Sequence, residues 1–143
     1  MIYLGSDHRG FNLKEKIKVF LTSQKLPFED LGNKILDPED DYPDFAKLVV
    51  EKVSESLENF GILFCGSGAG VDIVANRRKG IRSVLGFDVK QVSQARKDDH
   101  VNVLSLASDF IDEEKAEDLI LSFLNTPFSQ EEKHQRRIEK IDA

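Results

Sequence analysis

A thiol, a hydroxyl and three glycines sit within the six residues Cys65-Gly66-Ser67-Gly68-Ala69-Gly70, and Cys65 is the only cysteine of the chain. The apolar run Ile62-Leu63-Phe64 before it reads as a buried strand, and the glycine-rich turn after it opens a helix. In an open α/β sheet, ligands bind beyond the C-terminal ends of the strands. A strand-to-helix turn at that edge aims backbone N–H groups and the positive end of a helix dipole at an anion. A lone cysteine is as a rule a small buried hydrophobe. At this joint, however, the dipole favours thiolate, the form that acts as nucleophile or general base. Gly66, Gly68 and Gly70 let the backbone approach a ligand and offer N–H groups to a developing oxyanion. One such donor contributes about 2.7–4 kcal/mol to a transition state. Ser67 reads equally well as a second proton-handling group or as a helix cap.

Asp7-His8 reads either as a helix-start cap with a surface imidazole or as a pair facing the same sheet edge. Lys133 and Arg137 lie four apart, on one side of a helix. Two aligned cations suit a phosphate, and a solvated charged face is the alternative. Three scattered histidines and one cysteine show no metal-ligand spacing. The glycine turn lacks the spacing of a dinucleotide fingerprint and the lysine of a P-loop. No metal and no cofactor are expected.

The elements that position these residues alternate. Strands are expected over Met1 to Ser6, Pro27 to Leu31, Gly61 to Cys65, Ile81 to Gly86 and Val101 to Ala107. Helices are expected over Phe11 to Gln24, from Pro43 through a stripe of Phe45, Leu48, Val49, Val53 and Leu57, and after Gly68 with Val71, Val74 and Ala75 inside. Further helices follow over Asp88 to Asp98, from an Asp112 N-cap to about Asn125, and over Gln130 to Ile141. In the first helix Leu13, Ile17, Phe20 and Leu21 face inward, with Lys14, Glu15, Lys16 and Lys18 on the outer face. Asn33 to Asp41 is a surface loop. Five strand–helix alternations predict a three-layer α/β/α sandwich on a parallel, Rossmann-like sheet, with one extra C-terminal helix. Three loops meet above its C-terminal edge: Asp7 to Gly10, Cys65 to Gly70, and the segment after the fourth strand.

At 143 residues, 40% apolar and 32% charged, the chain fits one globular domain over 1–143. A net charge of -6 argues against general nucleic-acid binding. No apolar run reaches the roughly 20 residues of a membrane span. The N-terminus enters a strand with no leader pattern, and one cysteine suits a reducing cytosol, so a cytoplasmic protein is expected.

Several motifs, taken together, resemble one family. Gly5-Ser6-Asp7-His8-Arg9-Gly10-Phe11 with Leu13-Lys14 comes first, then Asp41-Tyr42-Pro43 and the Cys65–Gly70 turn. Ala75-Asn76 with Gly80-Ile81-Arg82, Asn102-Val103-Leu104, and His134-Gln135 with Arg137 complete the set. The whole resembles the ribose 5-phosphate isomerase B family, which includes the galactose 6-phosphate isomerase subunits. The resemblance implies a metal-free aldose–ketose isomerase of a phosphorylated sugar, working through an enediolate. The position of Cys65 is then the proton-abstracting base. Ser67 assists proton transfer between the substrate oxygens, and Gly66, Gly68, Ala69 and Gly70 hold the developing charge. Asp7, His8 and Tyr42 line the sugar site, while His8, Lys133 and Arg137 hold the phosphate. Homodimers or homotetramers with active sites shared between subunits are implied as well.

This chain departs from the pattern at three places. Asp98-Asp99-His100 stands where the family has His-Asn-Asp or His-Asn-Asn, so Asp98 takes the ring-opening histidine's place, with Asp99 and His100 in substrate-binding positions. Asp109 replaces an arginine that commonly follows the fifth strand, and Lys133 stands where arginine is usual. The first change reverses a charge and the second loses a bidentate fork. Three readings follow: an ordinary pentose phosphate isomerase in which His100 and Lys133 supply the altered functions; an isomerase of an open-chain four-carbon or other sugar phosphate, which needs no ring-opening acid; or a catalytically silent sugar-phosphate-binding subunit.

Overall fold

The computed structural model describes residues 1–143. Five strands, β1 (Ile2–Ser6), β2 (Phe28–Asp30), β3 (Phe60–Cys65), β4 (Ser83–Leu85) and β5 (Val103–Ala107), form one sheet in the order β2-β1-β3-β5-β4. Every pairing is parallel. The helices are α1 (Phe11–Ser23), α2 (Tyr42–Ser54), α3 (Ala69–Asn76), α4 (Val89–Asp99), α5 (Glu113–Asn125) and α6 (Glu132–Glu139). From β1 the chain winds to β2 on one side and to β3 on the other. The crevice between the loops that follow β1 and β3 is therefore the topological switch point, where doubly wound sheets bind their ligands.

Each strand side chain goes to one face or the other with a period of two. Ile62 and Phe64 join α1, α4 and α5 in one core, which Leu119, Ile120 and Phe123 fill from α5. Leu63 and Cys65 join α2 and α3 in a second core with Val49, Val53, Val71 and Ala75. Cys65 thus faces the α2–α3 layer. Pro43 stands in the first turn of α2, and the Asp112 carboxylate accepts the Lys115 N–H as the N-cap of α5.

Two inward stripes differ from the sequence reading. Leu48 and Leu57 are exposed, and Ala46 and Val50 fill the buried positions of α2, because this helix is covered over the adjacent face and ends before Leu57. Lys14, expected on the outer face of α1, is fully buried. Its ammonium donates to Asp30 Oδ1 at 2.7 Å and to the Asn33 carbonyl, and Lys18 shares the same carboxylate at 2.8 Å. Burial lowers the Lys14 pKa against the pull of Asp30. A lysine stem packs as a hydrocarbon once its head is paired, which explains the misplacement. β4 is also shorter than the Ile81–Gly86 run: Ile81 lies buried before the strand starts.

Candidate active site

The Cys65 turn is shaped by close backbone contacts. Gly68, the N-cap of α3, has φ 74°, the left-handed region that a side chain disfavours. The Cys65 carbonyl accepts the Ser108 N–H at 2.9 Å, and the Gly66 carbonyl accepts the Asp109 N–H at 3.0 Å. These two bonds fasten the turn to the loop after β5. Gly10 lies against β3: a Cβ there would sit 2.6 Å from the Phe64 carbonyl carbon and oxygen. That contact draws the β1 loop up beside Cys65. Its Asp7 carboxylate, in turn, accepts the N–H groups of Arg9 and Gly10, each at 3.0 Å.

The result is a cleft of about 300 Å³ lined by Asp7, Arg9, Tyr42, Cys65, Gly66, Ser67, Gly70 and Ile73. Cys65 is 4% exposed at its floor, while Ser67 is exposed at its rim. Ser67 Oγ also accepts the Ala69 N–H at 3.3 Å, so the capping reading and the cleft position coexist. Tyr42 packs over Gly70, where a Cβ would meet its ring at 2.7 Å. The segment after β4 does not reach this cleft. Leu85, Gly86 and Phe87 line a neighbouring depression that shares Ser67.

His8 is not the free surface imidazole of the capping reading. Its Nδ1 lies 2.7 Å from Asp40 Oδ1, which also accepts the His8 N–H at 2.9 Å, while Asn33 Nδ2 donates to Asp40 Oδ2. The Asp40 hydrogen bond raises the His8 pKa despite partial desolvation. Burial alone would raise the Asp40 carboxyl, but hydrogen bonds from Asn33 and His8 outweigh it and hold the group below its ordinary value. Asp7, His8 and Asp40 cluster closely enough for a cation. Within it, Asp7 Oδ1, His8 Nδ1 and both Asp40 oxygens are engaged in hydrogen bonds. Asp40 went unread in the sequence because it is one of several acidic residues in the loop, and its partner His8 lies 32 positions away.

Asp98, Asp99, His100, Lys133 and Arg137 lie elsewhere. They belong to the end of α4 and to α6, at the edge where β5 begins, whereas Cys65 pairs with Ala107 where β5 ends. The four strand steps between Val103 and Ala107 alone span about 13 Å. Asp98 accepts from Gln94 Nε2 at 2.7 Å and lies 3.5 Å from His134 Nε2. The ring of His100 stacks on Phe128 with centroids 4.6 Å apart, and burial with nearby Arg96 and Arg82 lowers its pKa. Lys133 and Arg137 are exposed on α6, with Lys133 3.5 Å from Glu131. One chain therefore assembles the Cys65 cleft and keeps Asp98, Asp99, His100, Lys133 and Arg137 at the other edge of its own sheet. Arg9, by contrast, lines the cleft without having been singled out. Its guanidinium lies against Gly66 and pairs with Asp109, a link between residues 100 positions apart that no local pattern shows.

Comparison with known proteins decides the family. The family model described as Ribose/Galactose Isomerase matches residues 2–141. This chain belongs to that family. The "Probable ribose-5-phosphate isomerase B" of Mycoplasma pneumoniae is 42% identical over 142 residues, 99% of this chain and 93% of that protein. A crystal structure of a ribose 5-phosphate isomerase from Thermotoga maritima superposes with TM-score 0.92 at 41% identity, covering 99% of this chain and 96% of that one. The Mycoplasma genitalium ribose-5-phosphate isomerase B, solved with bound ribulose-5-phosphate, gives TM-score 0.93 at 40% identity over 98% of this chain and 92% of that one. With the family comes the enzyme class, an intramolecular aldose–ketose isomerase. No helix is long and apolar enough to cross a membrane.

Proposed function

We propose that the chain interconverts an aldose phosphate and its ketose, of the ribose 5-phosphate/ribulose 5-phosphate type, through an enediolate formed in the Cys65 cleft. The observation that carries this is the meeting of Cys65, Ser67 and the glycine turn in one small cleft with Asp7 and Tyr42. The Cys65 thiolate takes the proton from the carbon beside the carbonyl, and the electron pair moves onto the carbonyl oxygen. Ser67 passes a proton between the two substrate oxygens, and return of the Cys65 proton to the neighbouring carbon completes the isomerisation. The turn amides at the N-terminus of α3 hold the oxyanion while it exists. A positioned base is typically worth about 10²- to 10⁴-fold in rate. Cys65→Ala is therefore expected to lose at least about 10²-fold in kcat with the fold intact by circular dichroism, and retention of most turnover would refute the role.

Two copies complete the site in this reading. Asp98, Asp99, His100, Lys133 and Arg137 are out of reach of their own Cys65, so the α4–α6 edge of one copy serves the cleft of another. The partner is a second copy of this chain, as a homodimer or within a homotetramer.

One observation supports a changed substrate. Asp98, in the ring-opening position, is bound to Gln94 and beside His134, and His100 is stacked on Phe128, so neither is free within its own chain. A four-carbon sugar phosphate is open-chain and needs no ring-opening acid. Comparing kcat/KM for ribose 5-phosphate, erythrose 4-phosphate and hexose 6-phosphates decides between the two. Efficient turnover of ribose 5-phosphate sinks the changed-substrate reading.

A further inference from the structure

Arg9 is the one cation on the wall of the Cys65 cleft. Its guanidinium is laid on Gly66, where any Cβ would overlap its Cζ, Nε and Nη2 atoms. Gly66 directly follows Cys65, and consecutive Cα atoms are about 3.8 Å apart, so the half-exposed Arg9 side chain lies against the residue next to the thiol-bearing one. The only hydrogen-bond partner of the guanidinium is Asp109, through Nη2. Asp109 is itself fixed to the turn, its N–H donating to the Gly66 carbonyl at 3.0 Å. The one carboxylate on the wall, Asp7, has Oδ1 occupied by the Arg9 and Gly10 N–H groups. Guanidinium carries five N–H donors and stays protonated, so pairing through one nitrogen leaves donors unused beside the reacting centre.

We propose that Arg9 is a further catalytic residue, contacting the substrate oxygens that become negative in the enediolate, and that Asp109 positions it. This rests on the isomerase reading above. The pair has the form of a preorganised electrostatic site: the cation is in place before charge develops, and its tether crosses from one side of the glycine turn to the other. Position 66 must carry no side chain for the same reason, since even a methyl group displaces the guanidinium.

The test separates the reacting end of the substrate from its phosphate. A phosphorylated hydroxamate carries a planar anionic end like an enediolate, and the matching phosphorylated sugar alcohol carries the phosphate without it. In Arg9→Gln, kcat is expected to fall about 10- to 100-fold with KM changed less than about threefold. By calorimetry the hydroxamate should lose at least about tenfold in affinity and the sugar alcohol less than about threefold. Asp109→Asn should move both readouts in the same direction by a smaller factor. Equal loss of both ligands would show that Arg9 grips the phosphate, and unchanged affinities would show only a structural strap. Either result overturns the proposal. The affinity ratio needs no turnover, so failure of the isomerase reading, seen as no turnover of any sugar phosphate in the panel above, remains distinguishable from failure of the Arg9 role.

Discussion

At its C-terminal edge the sheet is finished by main-chain contacts, and at its N-terminal edge by side chains. The Cys65 turn hangs on carbonyl-to-amide bonds to Ser108 and Asp109 and on glycines pressed against neighbouring atoms. The α4–β5 turn instead hangs on Arg82, whose Nε donates to the Asp99 carbonyl at 2.8 Å and Nη2 to the His100 carbonyl at 2.9 Å. Asn102 adds bonds to Arg82 N and the Gly80 carbonyl. Buried Arg96 reaches the Thr126 and Val101 carbonyls and stacks on Phe60 and Phe123. The contrast bears on what can change. At the first edge the turn is packed so tightly against neighbouring atoms that few residue types fit. At the second, the arginines hold the backbone whatever stands at 98, 99 and 100, so the side chains there are free to differ while the fold stays put.

The strongest way to break this comparison is to separate the two edges genetically. Cys65→Ala and the Lys133→Ala/Arg137→Ala double variant should each lose at least about 10²-fold in activity. When the two are refolded together in equal amounts, half of the dimers are mixed and half of the sites in those are intact. About one quarter of wild-type activity should return if the sites are shared across a two-fold interface. No recovery would place both edges' work within one chain.

Next in size is damage to the main-chain edge. Gly10→Ala pushes a methyl into the Phe64 backbone, which has no rotamer with which to yield. It should cost about 1–3 kcal/mol, read as a shift in the urea midpoint, and should lower kcat by moving Asp7 and Arg9 away from Cys65. Arg82→Met, which leaves the Asp99 and His100 carbonyls without their donor, should cost about 1–2 kcal/mol and raise KM more than it lowers kcat.

The smallest effect is electrostatic. The folded-state His8 pKa is raised by Asp40, so the pair's contribution is full below the unfolded histidine value of about 6.5. It is lost as pH rises through the raised folded value. The Tm difference between wild type and Asp40→Asn should therefore shrink between mildly acidic and mildly alkaline pH. A difference that grew over that range would contradict the pairing.

The sequence was readable where a local rule decides the structure. Alternating apolar runs marked all five strands, Asp112 and Pro43 marked helix starts, and the glycine turn marked the switch-point loop because backbone constraints write themselves into residue type. It was opaque where distant partners decide. Lys14 is buried because Asp30 and Asn33 meet it, Asp40 matters because β2's loop folds back on His8, and Arg9 enters the cleft through Asp109. None of these pairings has a spacing to read. Nor does periodicity reveal that the α4–α6 positions lie at the opposite sheet edge; that follows only once the strands are known to be parallel and β5 is seen to begin where α4 ends.

The burial of Cys65 has a redox consequence. The thiol is 4% exposed and is reached through a narrow cleft, so small oxidants such as peroxide have access where bulky disulfides do not. With no second cysteine in the chain, a sulfenic acid formed there has no internal thiol to condense with. Its repair depends on a reductant slender enough to enter the same cleft.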